Sequence, residues 1–268
     1  MRLGSAALCL SSLAAAVSAG AAEVDVRPFD KLALSGSSSS FADTDDKGGG
    51  GSLSYLHYFT PDMLAGLGVD HTFVEQSKLT YGSVRAAWGR GQPASRFTLI
   101  GEYYDGEGDD NGRKFDYRVG VLGMSQSLTS KFSIQLETRQ FDIDTTYGNL
   151  PKIGLTYVWS PRFMTNISYA DSVSGNLGTE LTSARFDIYG KRINIMLGGS
   201  TGKANPAVLV LQPGVVLPPS YSNEYFLGFA KPFKRAEVQL LGDLLEVSGS
   251  KKYTVTLSVI AYLGSRGQ

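Results

Sequence analysis

Residues 131–142 read Lys-Phe-Ser-Ile-Gln-Leu-Glu-Thr-Arg-Gln-Phe-Asp, an almost unbroken alternation of apolar and polar side chains. Phe132, Ile134 and Leu136 fall on one side; Ser133, Gln135, Glu137 and Arg139 fall on the other. Side chains of a strand point to opposite faces with period two, so this segment has one oily and one charged face. The pattern returns roughly a dozen times along the chain. Two environments suit such a strand: one half-buried side of an antiparallel sheet in water, or a wall between lipid and a wet lumen.

The N-terminus narrows the choice. Met1-Arg2 gives a positive start, residues 5–17 form an apolar run too short to span a bilayer, and Ala19-Gly20-Ala21 is an A-x-A cleavage site. Residues 1–22 therefore read as a secretory signal peptide, with 23–268 as one mature domain. The chain's one cysteine, Cys9, lies within that leader, and Ala6-Ala7-Leu8 before it do not form a lipobox. A mature chain without thiols has neither disulfides nor thiolate metal sites. Nor does any stretch beyond the leader reach the roughly 18 uninterrupted apolar residues of a helical span.

Composition points the same way. The chain balances 25 basic against 25 acidic residues, which excludes a nucleic-acid partner recognised through clustered positive charge. Glycine (32), tyrosine (14) and phenylalanine (13) are plentiful, while helix-period segments are scarce. Apolar residues are dealt out singly rather than in the aliphatic runs of a dry globular core.

Strands are expected around Leu34, Tyr55, Leu67, Arg85, Leu99, Val119, Leu136, Leu155, Ile167, Phe186, Ile195, Leu227, Gln239 and Leu257, the first of them weakest. The connections alternate. Short ones lie at 60–62, 90–95, 125–131, 160–162, 190–192 and 231–234, and longer, Gly/Asp/Asn-rich ones at 43–52, 105–113, 142–149, 171–178 and 200–221. Connections 75–78 and 246–251 break the rule by being short. Aromatic residues cluster near both ends: Phe59, Trp88, Phe97, Phe132, Trp159, Phe163, Tyr189 and Phe229 by the short turns, and Phe73, Tyr103, Phe115, Phe141, Tyr169, Tyr225 and Tyr253 by the long loops. Short turns at one end, long loops at the other and two aromatic girdles are the marks of a membrane barrel.

On these features the chain resembles the Gram-negative outer-membrane β-barrel proteins, porins in the broad sense, over essentially its whole mature length. The resemblance is architectural and rests on no short motif. The last alternating strand, Tyr253 to Leu263, runs on into Gly264-Ser-Arg-Gly-Gln268 and lacks the terminal aromatic residue common in such barrels. The resemblance implies an all-β, transmembrane, antiparallel up-and-down barrel of roughly 12–14 strands. It also implies an outer-membrane location, contact with lipid and lipopolysaccharide, and insertion by the barrel-assembly machinery.

With the apolar face toward lipid, the inward side carries Arg85, Glu102, Asp116, Arg118, Glu137, Arg139, Arg185, Asp187, Glu237 and Asp243. Charge on a lipid face costs roughly 2–4 kcal/mol per Lys or Arg at the midplane, which turns these residues inward. Six acids against four arginines lean toward cations. Either they line a water-filled pore and set its selectivity, or they are paired ions filling a closed interior.

Catalysis finds little to build on. His57 and His71 are the only histidines, and each is followed two residues on by phenylalanine rather than a same-face serine. Asp70 and His71 are adjacent and so face opposite ways. The acidic stretch 105–112 has Asp110 where a calcium-binding EF-hand loop needs glycine, so a solvated loop is expected and no metal or cofactor. Loop 200–221, with its apolar, proline-punctuated middle, is a candidate constriction or rim flap. The expected function is passive, porin-like passage of small hydrophilic solutes. The alternatives are the barrel of a polysaccharide or polymer export system, or a plugged structural or adhesive barrel.

Overall fold

The computed structural model describes residues 30–42, 45–75, 77–205, 220–247 and 250–264. The proposed signal peptide and the middle of loop 200–221 lie outside them. The strands are β1 (Asp30–Phe41), β2 (Lys47–Thr60), β3 (Met63–Val74), β4 (Ser77–Arg90), β5 (Phe97–Asp110), β6 (Arg113–Ser127), β7 (Phe132–Ile143), β8 (Thr146–Ser160), β9 (Phe163–Asp171), β10 (Ser174–Gly175), β11 (Glu180–Tyr189), β12 (Asn194–Ala204), β13 (Ser220–Pro232), β14 (Ala236–Val247) and β15 (Ser250–Leu263). All but β10 form one closed, antiparallel, up-and-down barrel of 14 strands. The ring closes by pairing β1 with β15, from Asp30 opposite Leu263 to Phe41 opposite Lys252. Each expected strand centre falls within one of these strands, and the weak first segment, 30–41, is a full barrel strand.

Both Asp30 and Leu263 lie at the end of the barrel that carries the turns between β2 and β3 and between β8 and β9. This is the proximal end below; the other is distal. At the distal end the expected long loops are mostly absent. The strands simply continue: residues 105–110 belong to β5 and 146–149 to β8. Two residues each separate β3 from β4, β5 from β6, β7 from β8 and β14 from β15. Asn111 and Gly112 make the β5–β6 turn with φ of 55° and 87°, the left-handed pair a tight hairpin demands. The acidic stretch expected as a loop is thus a strand ending in a turn. Segment 171–180 remains long and carries β10, which pairs with β8.

The apolar face changes sides along the strands. On their proximal part the large apolar residues point outward: Leu34, Leu67, Val84, Leu122, Leu136, Ile167, Leu227 and Leu257 are all exposed. Trp88, Trp159 and Phe229 flank this outer band near the proximal turns, with Tyr103, Tyr169, Tyr225 and Tyr253 on its other side. Distally the alternation inverts. Leu79, Tyr81, Phe115, Tyr117, Val119, Phe141, Ile143 and Leu150 point inward and bury one another with Ala170 and Leu177. Phe115 and Phe141, expected in a lipid-facing girdle, are part of this inner cluster. Above the outer band the barrel is therefore a collar, packed within by apolar side chains from β4 to β9 and by polar ones such as Ser39, Ser222 and Thr254 on the strands opposite.

Candidate functional site

The barrel interior holds the charged residues expected from alternation, with two exceptions. Asp116 and Arg118 flank inward-facing Tyr117 and so point outward, where Arg118 meets both Asp116 and Asp105 at 3.3 Å. The penalty that turns charge inward applies only within the apolar outer band. These two residues sit in the collar, whose outer wall is polar, and the penalty does not bear on them.

The other eight face the interior. Arg85 Nε lies 3.0 Å from Glu102 Oε1 on the neighbouring strand, with the arginine side chain only 8% exposed. Glu102 also accepts a hydrogen bond from the Tyr104 hydroxyl. Arg139 Nε donates to Glu137 Oε1 at 2.6 Å. Lys152, directly across from Glu137 on β8, adds a second cation. Arg85, Glu102, Glu137, Arg139 and Lys152 thus form one ionic belt over β4, β5, β7 and β8. Residues two apart on a strand share a face, which is why Glu137 and Arg139 pair without a turn.

On the opposite wall Arg185 holds Asp187 through two contacts, Nη2 to Oδ1 at 2.6 Å and Nε to Oδ2 at 3.0 Å. Asp187 is 3% exposed, and a planar guanidinium fork is the partner that best offsets such burial. Asp243 lies beside Glu224 and Lys252, and Glu237 accepts a hydrogen bond from Gln239. Alternation alone did not single out Lys152, Glu224, Lys252 or Asp70. Asp70 stands across from buried Tyr81 and faces inward with it. Its signal was present in the phase of Leu67 and Val69, which put the residue between Val69 and His71 on the inner face.

A cavity opens along β15, β1, β2, β3, β4 and β5. One side is small and hydroxylated, with Ser35, Ser37, Ser52, Ser54, Thr256 and Ser258; the other carries Asp70, Arg85, Glu102 and Tyr104. Toward the proximal end, inward Leu56, Leu64 and Ala87 form a second, smaller apolar cluster. Distally, Leu177, Thr179 and Asn205 from the connecting segments are almost completely buried against the collar.

Both histidines face away from this interior. His57 Nδ1 is 2.9 Å from Asp30 Oδ2, and His71 Nδ1 is 2.7 Å from Thr80 Oγ1. Among the described residues no group of three or more His, Cys, Asp or Glu is arranged to hold a metal ion.

No protein-family model and no curated protein matches the chain. Solved structures do. The CymD monoaromatic hydrocarbon channel is similar with a TM-score of 0.63 at 11% identity, over 90% of this chain and 90% of that one. The toluene transporter TodX of Pseudomonas putida gives 0.54 at 10% identity, over 96% and 95%. A bacterial polysaccharide outer membrane secretin gives 0.56 at 8% identity, over 90% and 100%. The chain thus shares the architecture of outer-membrane barrel channels, and at these identities the likeness is one of fold.

Proposed function

We propose that the protein is an outer-membrane channel of a Gram-negative bacterium, exported by a cleaved signal peptide at 1–22, through which small hydrophilic solutes diffuse passively. The observation that carries this reading is the proximal wall: apolar side chains outside, ions and hydroxyls inside, around a closed cylinder with a polar cavity. Apolar outer residues of that kind match a bilayer, and insertion would need the barrel-assembly machinery. The charged outer face of the collar then stands among lipopolysaccharide headgroups. Fourteen strands are more than the roughly eight that side chains alone can fill.

The lining also speaks for polar cargo. An apolar solute passing Asp70, Arg85 and Glu102 would strip these groups of water at a cost of several kcal/mol. The eight inward charges would set the selectivity of passage, with the ionic belt as its central element. A second reading, a plugged structural barrel, draws on the apolar cluster that fills part of the collar.

Planar-bilayer recording on refolded protein separates the two. Discrete conductance steps that change when Glu137 or Arg139 is replaced support the channel. Silence from protein that is folded and inserted supports the plug.

A further inference from the structure

The hydroxylated wall of the cavity is arranged in rows. Cross-strand register places Ser258, Ser35, Ser52, Asp70 and Tyr81 side by side on five successive strands. Ser35 and Ser52 share a hydrogen bond between their hydroxyls. One row nearer the collar stand Ser37 and Thr72, separated by Gly50.

Two groups in this patch are left unused by the fold. The Asp70 carboxylate makes no hydrogen bond or ion pair among the described residues. Thr72 is 8% exposed, and its Oγ1 is buried with no hydrogen-bond partner among them. Both line the cavity. The other interior acids behave differently, since Glu102 and Glu137 of the belt and Asp187 on the opposite wall each have a guanidinium beside them. Buried polar groups in native proteins are nearly always bonded, so a carboxylate without a protein partner on the wall of this cavity is open to the hydroxyl donors of a solute.

We propose that this patch is a binding subsite for polyhydroxylated solutes of mono- to disaccharide size. The proposal rests on the channel reading and names its cargo. Serine and threonine hydroxyls both donate and accept, as sugar hydroxyls do, and a carboxylate can accept from two neighbouring hydroxyls at once. A small cation would meet one unpaired carboxylate, Asp70, because Glu102 is paired with the Arg85 guanidinium in the same cavity. An apolar solute would satisfy neither Asp70 nor Thr72.

The test is calorimetric titration of the folded mature protein in detergent with glucose, maltose and maltotriose, and with arginine hydrochloride as the cationic probe. Saturable binding of glucose or maltose is expected, and weaker binding of maltotriose, which exceeds disaccharide size. Asp70→Asn should weaken it about tenfold, the loss expected when one charge-assisted hydrogen bond goes. Thr72→Val removes the unbonded hydroxyl at constant shape and should weaken binding several-fold. Retained mobility on unheated gels shows that both variants are folded. Absence of binding by both glucose and maltose, binding unchanged in both variants, or binding of arginine alone overturns the subsite. Bilayer recording keeps the two readings apart. A barrel that conducts without binding sugar retains passage and loses the subsite; one that binds sugar without conducting does the reverse.

Discussion

Tyr117 and Arg118 are neighbours in β6, yet Tyr117 is 1% exposed within the barrel while the Arg118 side chain is 49% exposed on its outer wall. Three residues beyond Arg118, Val121 stands inside, and next to it Leu122 stands outside. The wall thus passes from a water-facing to a lipid-type exterior within one strand, and each prediction below depends on which side of that change a residue occupies.

Replacing Phe141 by alanine should destabilise the folded barrel by about 3–5 kcal/mol, because the ring is buried in the collar cluster. Arg118→Ala should stay within about 0.5 kcal/mol, as an exposed pair contributes little. Reversible unfolding in detergent reads both. Bilayer conductance should be unaffected by Arg118→Ala, because that side chain is outside the lumen.

Leu122→Arg puts a cation in the outer apolar band and should cost roughly 2–4 kcal/mol on folding into lipid vesicles. The same arginine at Gln140, two positions from Asp142 on the outer face of β7, should cost about 0–1 kcal/mol. Equal penalties would place the lipid boundary elsewhere.

Glu137→Ala leaves Arg139 and Lys152 together in the interior without their acid. The side chain of Glu137 is 9% exposed, and breaking such a pair costs about 3 kcal/mol. With a net gain of positive charge in the belt, the reversal potential in a salt gradient should move toward anions. Glu137→Ala with Arg139→Ala should move it back.

Leu177 is fully buried where segment 171–180 meets the collar. Leu177→Ala should cost about 2–5 kcal/mol of local packing. Faster amide exchange in 171–180 and in the distal ends of β7 and β8 is the expected sign, together with a larger single-channel conductance. Unchanged exchange would mean that the collar does not depend on this side chain.

Strand positions were readable because period two is local and needs only one distinct face. The connections were misread for a related reason. Glycine and aspartate at 105–112 suit a loop, but Gly106 and Gly108 also allow close approach of Tyr81 and Phe115, at whose atoms an added Cβ would lie within 3 Å. Asp116 and Arg118 are misplaced by alternation for the same reason, since a lipid penalty does not apply to a part of β6 beyond the apolar outer band. Lys252 and Glu224 lie at the strand ends beside connections 246–251 and 200–221, and their place next to Asp243 comes from the pairing of β13 and β15 with β14. Pairing between neighbouring strands, as between Lys152 and Glu137, depends on register, which alternation within one strand does not contain.

The seam between β1 and β15 joins the earliest barrel strand to the latest, and it runs through the hydroxyl-lined wall. Ser35 and Ser37 come from one side of that joint, Thr256 and Ser258 from the other. The polar chamber is therefore finished only when the sheet zips shut: a sheet still open at that seam would hold the ionic belt but no complete chamber.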